Sequence, residues 1–315
     1  MTQIGKLRLR ACLAVAMTLA AVSAAFGQII LVSYSSNGVI EKFSSTGTDL
    51  GAFTATTLYN PTGITFDSSG NVYVANSGSN SIQKLSSTGA DLGLFASTGM
   101  NQPHGLVFDS SGNLYVANAG SDTIAKFSSS GVLQATFSTG LSSPYGLAIS
   151  SGGVLFAVNS GGGGSIQKFS LSGTDAGKIT SAFLNGPTGL AFAADDSLYV
   201  ANSGNGIIHK FSSSGTYVGQ FASTGQGSLG GMAFDSAQNL YVTSDTNDLT
   251  GKFSSAGADL GQFTSSGNTS PRFVAIQVGA IPEPATSAVI LGGLAAVASF
   301  LVRRGRGIAR HFRSR

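Results

Sequence analysis

The stretch PHGLVFDSSGNLYVANAGSDTIAKFSSSG, residues 103–131, recurs in close copies along most of this chain. The first residues of successive copies are 41 to 43 positions apart: Pro61, Pro103, Pro144, Pro187, Leu229 and Pro271. A second series recurs every 42 residues: Lys42, Lys84, Lys126, Lys168, Lys210 and Lys252. Repeats of this length with strand-like content indicate the blades of a β-propeller.

Each unit contains four predicted strands. GLVFD and NLYVAN flank a Ser-Ser-Gly turn and alternate large with small residues, which predicts a hairpin. TIAKF predicts a third strand, and segments such as DLGLF at 91–95 predict a fourth. Phenylalanine recurs on three of these strands, and we expect its burial to drive the stacking of blades. First-strand members are Phe66, Phe108, Phe192 and Phe234; third-strand members are Phe43, Phe127, Phe169, Phe211 and Phe253; fourth-strand members are Phe53, Phe95, Phe137, Phe221 and Phe263.

The two ends of the array complement each other. Residues 30–53 supply a second, third and fourth strand without a first, whereas residues 271–278 supply a first strand alone. Together they complete one blade. The predicted fold is therefore all-β: a six-bladed β-propeller of four-stranded antiparallel blades, closed by N- and C-terminal strands that share one blade. Closure of this kind removes open sheet edges.

The N-terminal 27 residues have the features of a secretory signal peptide. Lys6, Arg8 and Arg10 precede an apolar run at 11–22, and small residues follow up to Gly27. The alternative is a retained membrane helix, for which the run is shorter than the ~20 residues that a span needs. The single cysteine, Cys12, lies in this segment, so the processed protein would have neither a disulfide nor a thiol nucleophile.

Charge is distributed unevenly along the chain. The whole sequence has a net charge of +3, but residues 28–281 contain eight basic and thirteen acidic residues, a net charge of −5. The basic residues are concentrated at the two termini. A nucleic-acid partner is therefore not supported for the predicted propeller at 28–281.

The repeat resembles the NHL family of β-propellers, as PTGITFDSSGNVYVANSGSNSIQKL at 61–85 illustrates. The resemblance covers residues 30–278 and implies a propeller with a central channel. One departure concerns the end of the second strand, where the family often has Asp. Here the residue is Asn in four units, which removes a charge but keeps the capacity to cap a turn: Asn76, Asn118, Asn159 and Asn202.

Residues 282–315 resemble the PEP-CTERM sorting signal of Gram-negative bacteria. The motif Pro282-Glu283-Pro284 is followed by a predicted transmembrane helix at 285–302 and an arginine-rich tail that the positive-inside rule places in the cytoplasm. The first arginines of this tail are Arg303, Arg304 and Arg306. The resemblance implies an exosortase-type membrane peptidase as partner, with the propeller exported to the cell surface, outer envelope or extracellular matrix. A permanent C-terminal anchor is the alternative.

The candidate ligand-binding position is the second residue of each repeat, directly after Pro61 or its equivalent, which we call the opening residue. Family geometry places it at the mouth of the central channel, and it varies while its neighbours repeat. The residues are Thr62, His104, Tyr145, Thr188, Gly230 and Arg272. We expect His104, Tyr145 and Arg272 to contact a sugar or a carboxylate, and neutral surface drift is the alternative explanation of the variation.

Metal and cofactor chemistry has weaker support, and no cofactor is predicted. His104 and His209 occupy different unit positions, so they do not form a zinc triad. Propellers that resemble gluconolactonase or paraoxonase hold a divalent cation at the channel, but Glu41 lies on a predicted third strand, away from it.

Two repeated polar features are each open to a functional and a structural interpretation. The turns at 67–71 and 109–113 resemble calcium loops, but each has one carboxylate, which favours turn capping. The periodic lysines predict either an anion-binding ring or, preferably, a solvated belt.

The sequence thus favours a secreted binding or structural module at the surface or in an extracellular polysaccharide matrix. A lactonase-like hydrolase or a lyase is the alternative.

Overall fold

Six four-stranded antiparallel sheets form a ring in the computed structural model, which describes residues 28–225, 227–263 and 267–277. Each sheet is one blade, and the all-β, six-bladed prediction is confirmed. The predicted signal peptide, the Pro-Glu-Pro motif and the 285–302 helix lie outside the described residues. Within the described ranges, no helix is long and apolar enough to cross a membrane.

The strands follow the repeat, and in blades 2 to 6 their order in the sheet is their order in the chain. Blade 1 contains β24 (Pro271–Gln277), β1 (Ile29–Tyr34), β2 (Val39–Phe43) and β3 (Asp49–Ala52). Blade 2 contains β4 (Pro61–Phe66), β5 (Val72–Asn76), β6 (Ser81–Leu85) and β7 (Asp91–Ala96). Blade 3 contains β8 (Pro103–Phe108), β9 (Leu114–Asn118), β10 (Thr123–Phe127) and β11 (Leu133–Phe137). Blade 4 contains β12 (Pro144–Ile149), β13 (Val154–Asn159), β14 (Ser165–Ser170) and β15 (Asp175–Ile179). Blade 5 contains β16 (Pro187–Phe192), β17 (Leu198–Asn202), β18 (Ile207–Phe211) and β19 (Tyr217–Ser223). Blade 6 contains β20 (Leu229–Phe234), β21 (Leu240–Ser244), β22 (Leu249–Phe253) and β23 (Asp259–Phe263).

Blade 1 closes the ring as the sequence predicts. The C-terminal strand β24 pairs antiparallel with β1, with Ile276 opposite Ile30 and Val274 opposite Val32. The first strands of neighbouring blades contact one another in turn, and β24 contacts both β20 and β4. The first strands therefore line the axis of a closed ring.

The hydrophobic cores lie between blades. One core joins Leu31 and Phe53 of blade 1 to Val74 and Leu85 of blade 2, and five equivalent clusters occupy the remaining blade interfaces among the described residues. The third-strand phenylalanines are buried, as expected. The first-strand phenylalanines are only half-buried, together with Phe95 and Phe221, because they pack at the edge of these clusters.

The turn between the first and second strands is closed by an aspartate. Asp67 Oδ1 accepts hydrogen bonds from the backbone N–H groups of Ser69 and Asn71, both at 2.9 Å. Gly70 adopts a φ of 80°, which a residue with a side chain rarely does. Asp109 makes the same bonds to Ser111 and Asn113. Each single carboxylate therefore caps its own turn, as the sequence favours over a calcium loop.

The lysine belt is less solvated than the sequence indicates. Each of the six repeated lysines is half-buried, and four of them lie 5.1 to 5.3 Å from the ring centre of a tyrosine on the neighbouring strand. These pairs are Lys84 with Tyr73, Lys126 with Tyr115, Lys210 with Tyr199 and Lys252 with Tyr241. A cation held over an aromatic face gains electrostatic attraction and loses part of its hydration.

Candidate functional site

The first strands approach each other closely because most of them have glycine two positions after the opening residue. A Cβ at Gly63 would overlap the backbone carbonyl of His104, and a Cβ at Gly105 would overlap the carbonyl of Tyr145. Glycine at this position therefore allows the inner strands to form a narrow ring. The variable residue before each glycine lies next to the axis.

Blade 1 departs from this rule, because Phe273 occupies the glycine position. Its ring stacks on Tyr145 with centroids 5.5 Å apart, and Tyr145 stacks on His104 at 4.3 Å. Tyr145 belongs to blade 4, three blades away from blade 1 in the ring of six. The stack therefore crosses the axis and fills the channel with aromatic side chains.

An ion pair lies beside this stack. Arg272 Nη1 is 3.0 Å from Asp245 Oδ2, and Arg272 Nε donates to Ser35 Oγ at 2.9 Å. The side chain of Arg272 remains 34% exposed and that of Asp245 remains 29% exposed. Arg272 is thus held in one orientation, with its side chain only partly buried.

Burial controls the protonation of the two aromatic groups that titrate. Burial, and after it the positive charge of Arg272, lowers the pKa of His104 to about 4. Burial raises the pKa of Tyr145, although Arg272 acts in the opposite direction. The buried Nδ1 of His104 has no hydrogen-bond partner among the described residues. At neutral pH the site therefore holds one cationic group, Arg272, beside a neutral imidazole and a neutral phenol.

The remaining candidates have different surroundings. The hydroxyl of Thr62 donates to the Pro103 carbonyl at 2.8 Å, and that of Thr188 donates to the Leu229 carbonyl at 2.5 Å. Both threonines tie a first strand to the next blade. The structure therefore groups His104, Tyr145 and Arg272, and it adds Asp245 and Phe273, which the sequence pattern does not single out. A signal for Phe273 is present, since PRF replaces the Pro-x-Gly of most other units.

Glu41 lies on a third strand, as predicted, and His209 also lies on a third strand. The buried Glu41 accepts a hydrogen bond from Asn268 Nδ2 at 2.7 Å, and burial raises its pKa. His209 is buried beside Tyr217, whose hydroxyl is 3.4 Å from Nδ1, and burial lowers the histidine pKa. In the part of the chain that the structure describes, no three His, Cys, Asp or Glu side chains are grouped as metal ligands.

The comparisons with known proteins agree with this architecture. The NHL repeat model matches residues 58–85 and 100–127, so the prediction of NHL repeats is confirmed for these two units. No curated protein matches the chain significantly. Among solved structures, a chain of a nidogen–laminin complex has a TM-score of 0.70 at 18% identity, covering 80% of this chain and 99% of its own length.

Two lyases have the same fold. Virginiamycin B lyase from Staphylococcus aureus, solved as a catalytically inactive variant with quinupristin, has a TM-score of 0.61 at 14% identity, covering 81% of this chain and 92% of its own. A streptogramin B lyase has a TM-score of 0.62 at 15% identity, covering 80% and 87%. At these identities the similarity shows a shared fold and does not assign an activity.

Proposed function

We propose that this protein is an exported propeller that binds a ligand or partner at the cell surface or in an extracellular polysaccharide matrix. The observation that carries the proposal is the mouth cluster of His104, Tyr145, Arg272, Asp245 and Phe273. A partly exposed arginine is preorganised there against an aromatic stack. Guanidinium has five donors, and the contacts to Asp245, Ser35 and Tyr145 leave others for a carboxylate or a sugar hydroxyl.

Export and sorting form the second part of the proposal. The signal peptide at 1–27 supports it, because basic residues, an apolar run and small residues follow one another in the order that an export signal needs. The tail at 282–315 supports it, because the Pro-Glu-Pro motif, an apolar stretch and arginines follow one another in the order of a sorting signal. An exosortase-type peptidase would be the processing partner. The low charge of the propeller and its abundant Gly, Ser and Thr fit a secreted surface protein.

The mouth is tested by substitution after a glycan and metabolite screen with the full-length protein. We expect Arg272→Ala to weaken binding by roughly 1.5–3 kcal/mol, because a charged hydrogen bond is lost. Arg272→Lys keeps the charge beside Asp245 but loses the planar fork, so it should be intermediate. Lys178→Ala, which changes an exposed cation on β15, is the matched control. Unchanged affinity in Arg272→Ala with unchanged melting would place the site elsewhere.

A hydrolase or lyase is the second candidate, and one observation favours it. The buried Nδ1 of His104 has no hydrogen-bond partner among the described residues, which leaves it for a substrate group, and its lowered pKa of about 4 makes it a weak base. Metal analysis of the purified protein and a lactone-hydrolysis assay discriminate the two functions. Lactone turnover that His104→Phe abolishes would favour the enzyme, whereas turnover that survives this change would exclude His104 as the base.

A further inference from the structure

The four tyrosine–lysine pairs lie on the face opposite to the channel mouth. The mouth residues follow the connections that lead into the first strands, whereas these pairs lie near the turns that end the first and third strands. Tyr73 and Lys84 are directly opposite each other in the β5–β6 register, and the other three pairs repeat this register. Each pair faces a groove between its own blade and the next.

Two of these grooves are closed by the pair itself. Lys126 Nζ donates to the Leu171 carbonyl of blade 4 at 3.0 Å, and the Tyr115 hydroxyl donates to the same oxygen at 2.9 Å. Lys252 Nζ makes the equivalent bond to the Ser45 carbonyl at 3.0 Å. In blades 3 and 6 the lysine therefore fastens its blade to the next one.

The other two grooves are open. Lys84 lies 3.8 Å from Asp67, and the groove between blades 2 and 3 has a volume of about 310 Å³. Lys210 lies 3.3 Å from Asp195, and the groove between blades 5 and 6 has a volume of about 260 Å³. In both cases the lysine is directed to a carboxylate of its own blade and leaves the inter-blade space free.

The arrangement has a two-fold pattern within the six-bladed ring. Blades 2 and 5 have open grooves, blades 3 and 6 have closed ones, and blades 1 and 4 have Leu31 and Phe156 in place of the tyrosine. Two blades of the same kind are always three blades apart in the ring. The two open grooves therefore lie on opposite sides of the ring.

The chemistry of the open groove between blades 2 and 3 favours a neutral, hydroxyl-rich ligand. Asp67 uses both carboxylate oxygens to accept bonds from its own turn and from Tyr73, and Asp109 does so from its own turn and from Tyr115. Burial acts to raise the pKa of each carboxyl, but the accepted hydrogen bonds together outweigh it and hold both pKa values below the ordinary value. Both groups are therefore ionised at neutral pH. One ammonium and two carboxylates disfavour an anion in this groove.

Free hydrogen-bonding groups surround these charges. The groove is also lined by serine hydroxyls that bond no other described side chain or backbone group: Ser68, Ser69, Ser110 and Ser129. Lys84 has three N–H donors, and its carboxylate neighbour at 3.8 Å is beyond ordinary hydrogen-bond distance. The groove is therefore lined by both hydrogen-bond donors and hydrogen-bond acceptors.

We propose that the two open grooves each bind a neutral sugar segment of an extracellular polysaccharide, so that one propeller holds two segments on the face opposite to its channel mouth. This rests on the proposed role as an extracellular binding module and adds a ligand class and a valency to it. Two sites on opposite sides of one rigid ring bind a repeating polymer with higher avidity than either site alone.

Calorimetric titration of the full-length protein in detergent micelles tests the inference. The probes are maltohexaose, cellohexaose and mannohexaose, with hexagalacturonate as the acidic counterpart. We expect two sites per chain for at least one neutral hexaose. Lys84→Met should weaken one site by about tenfold or more, and Lys84→Met with Lys210→Met should weaken both. Methionine keeps most of the apolar stem over the tyrosine ring and removes the charge.

The closed grooves provide matched controls, because Lys126→Met and Lys252→Met remove the same group from equivalent positions where the lysine bonds the next blade. Both should leave two sites. Ser129→Trp and Ser255→Trp, on exposed turns at the grooves, offer a second route that leaves the lysines intact and should each block one site.

Three outcomes would overturn the groove proposal: no saturable binding of any neutral hexaose, tighter binding of hexagalacturonate than of all three, or equal weakening by Lys126→Met and Lys84→Met. Failure of the grooves is distinguishable from failure of the proposed function. Binding lost in Arg272→Ala but kept in both lysine variants of the open grooves would retain the mouth and reject the grooves.

Discussion

At the residue scale, the hydrogen bonds of the second-strand asparagines explain why Asn stands where NHL units often have a carboxylate. Asn118 Oδ1 accepts a bond from the Asn101 N–H at 3.2 Å, and its Nδ2 donates to the Gly99 carbonyl at 2.9 Å. Asn159 and Asn202 repeat both bonds. The sequence predicts that Asn caps the turn as Asp would. The structure adds that the amide donates as well as accepts, which an ionised carboxylate is unable to do.

We therefore expect Asn118→Asp to lower the free energy of unfolding by about 1–3 kcal/mol, since a buried carboxylate would face the Gly99 carbonyl without a donor. Urea unfolding followed by circular dichroism measures the change. Asn205→Asp is the matched control, because Asn205 is exposed and its side chain accepts a bond from the Ile207 N–H at 3.2 Å. Equal stability of the two variants would show that the donated bond contributes nothing.

The spacing of residues in the repeat predicts the strand on which a residue lies better than it predicts the side chains that the residue contacts. The 42-residue period of the lysines places them on third strands, but it does not show that a tyrosine faces them across the sheet. That contact depends on register, which a repeat length does not state. Similarly, the sequence predicts that His104, Tyr145 and Arg272 share a mouth, but the stack through Phe273 requires the ring diameter that glycine packing sets.

At the element scale, two devices shape the innermost and outermost strands. The inner strand needs glycine for close approach to the next blade. The outer strand carries an aspartate whose side chain caps the residue two positions later, as Asp91 does for Gly93 at 2.8 Å, with Gly93 at a φ of 95°. Three other blades repeat this local twist. Irregularities of this kind blunt an open edge and oppose pairing with another chain.

The close approach of the inner strands at glycine leads to a prediction for Gly63→Ala. The new methyl group would meet the His104 carbonyl, which belongs to the backbone and has no rotamer to adopt, so we expect a loss of about 1–3 kcal/mol or more. Gly219→Ala is the control, because Gly219 lies in strand β19 without a positive φ, and a Cβ there would meet no other atom within 4 Å. It should be neutral or slightly stabilising. Thermal melts of both variants measure the difference, and similar melting would contradict the close-packed ring.

At the scale of the whole molecule, stability depends on closure, because the cores lie between blades and the last one joins blade 6 to blade 1. The sequence predicts this, since the incomplete units at its two ends add up to one blade. A chain truncated after Ser270 lacks β24, exposes the edge of β1 and loses Phe273 from the channel. We expect it to lose cooperative unfolding, whereas a chain ending at Ile281 should keep it. Equal calorimetric transitions in the two chains would contradict the shared blade.

The tail makes a separate prediction about the whole molecule in the cell. An apolar stretch at 285–302 with arginines after it is sufficient to stop transfer, so retention in the membrane would not require Pro282, Glu283 or Pro284. A peptidase would require them, because proline disfavours helix and keeps the segment extended, the form that a protease cleft accepts. Replacing all three by alanine should leave export intact but trap an uncut, slower-migrating protein in the membrane.

The matched control is Thr286→Ala with Ser287→Ala, which changes polar residues beside the motif and should leave processing unchanged. Mass spectrometry of the membrane and extracellular fractions measures both products. Because the apolar stretch at 285–302 and the arginines after it are unchanged in the triple variant, a difference in mass or location reports recognition of the motif itself. If triple variant and parent have the same mass and the same location, the tail acts only as an anchor and the exosortase proposal is wrong.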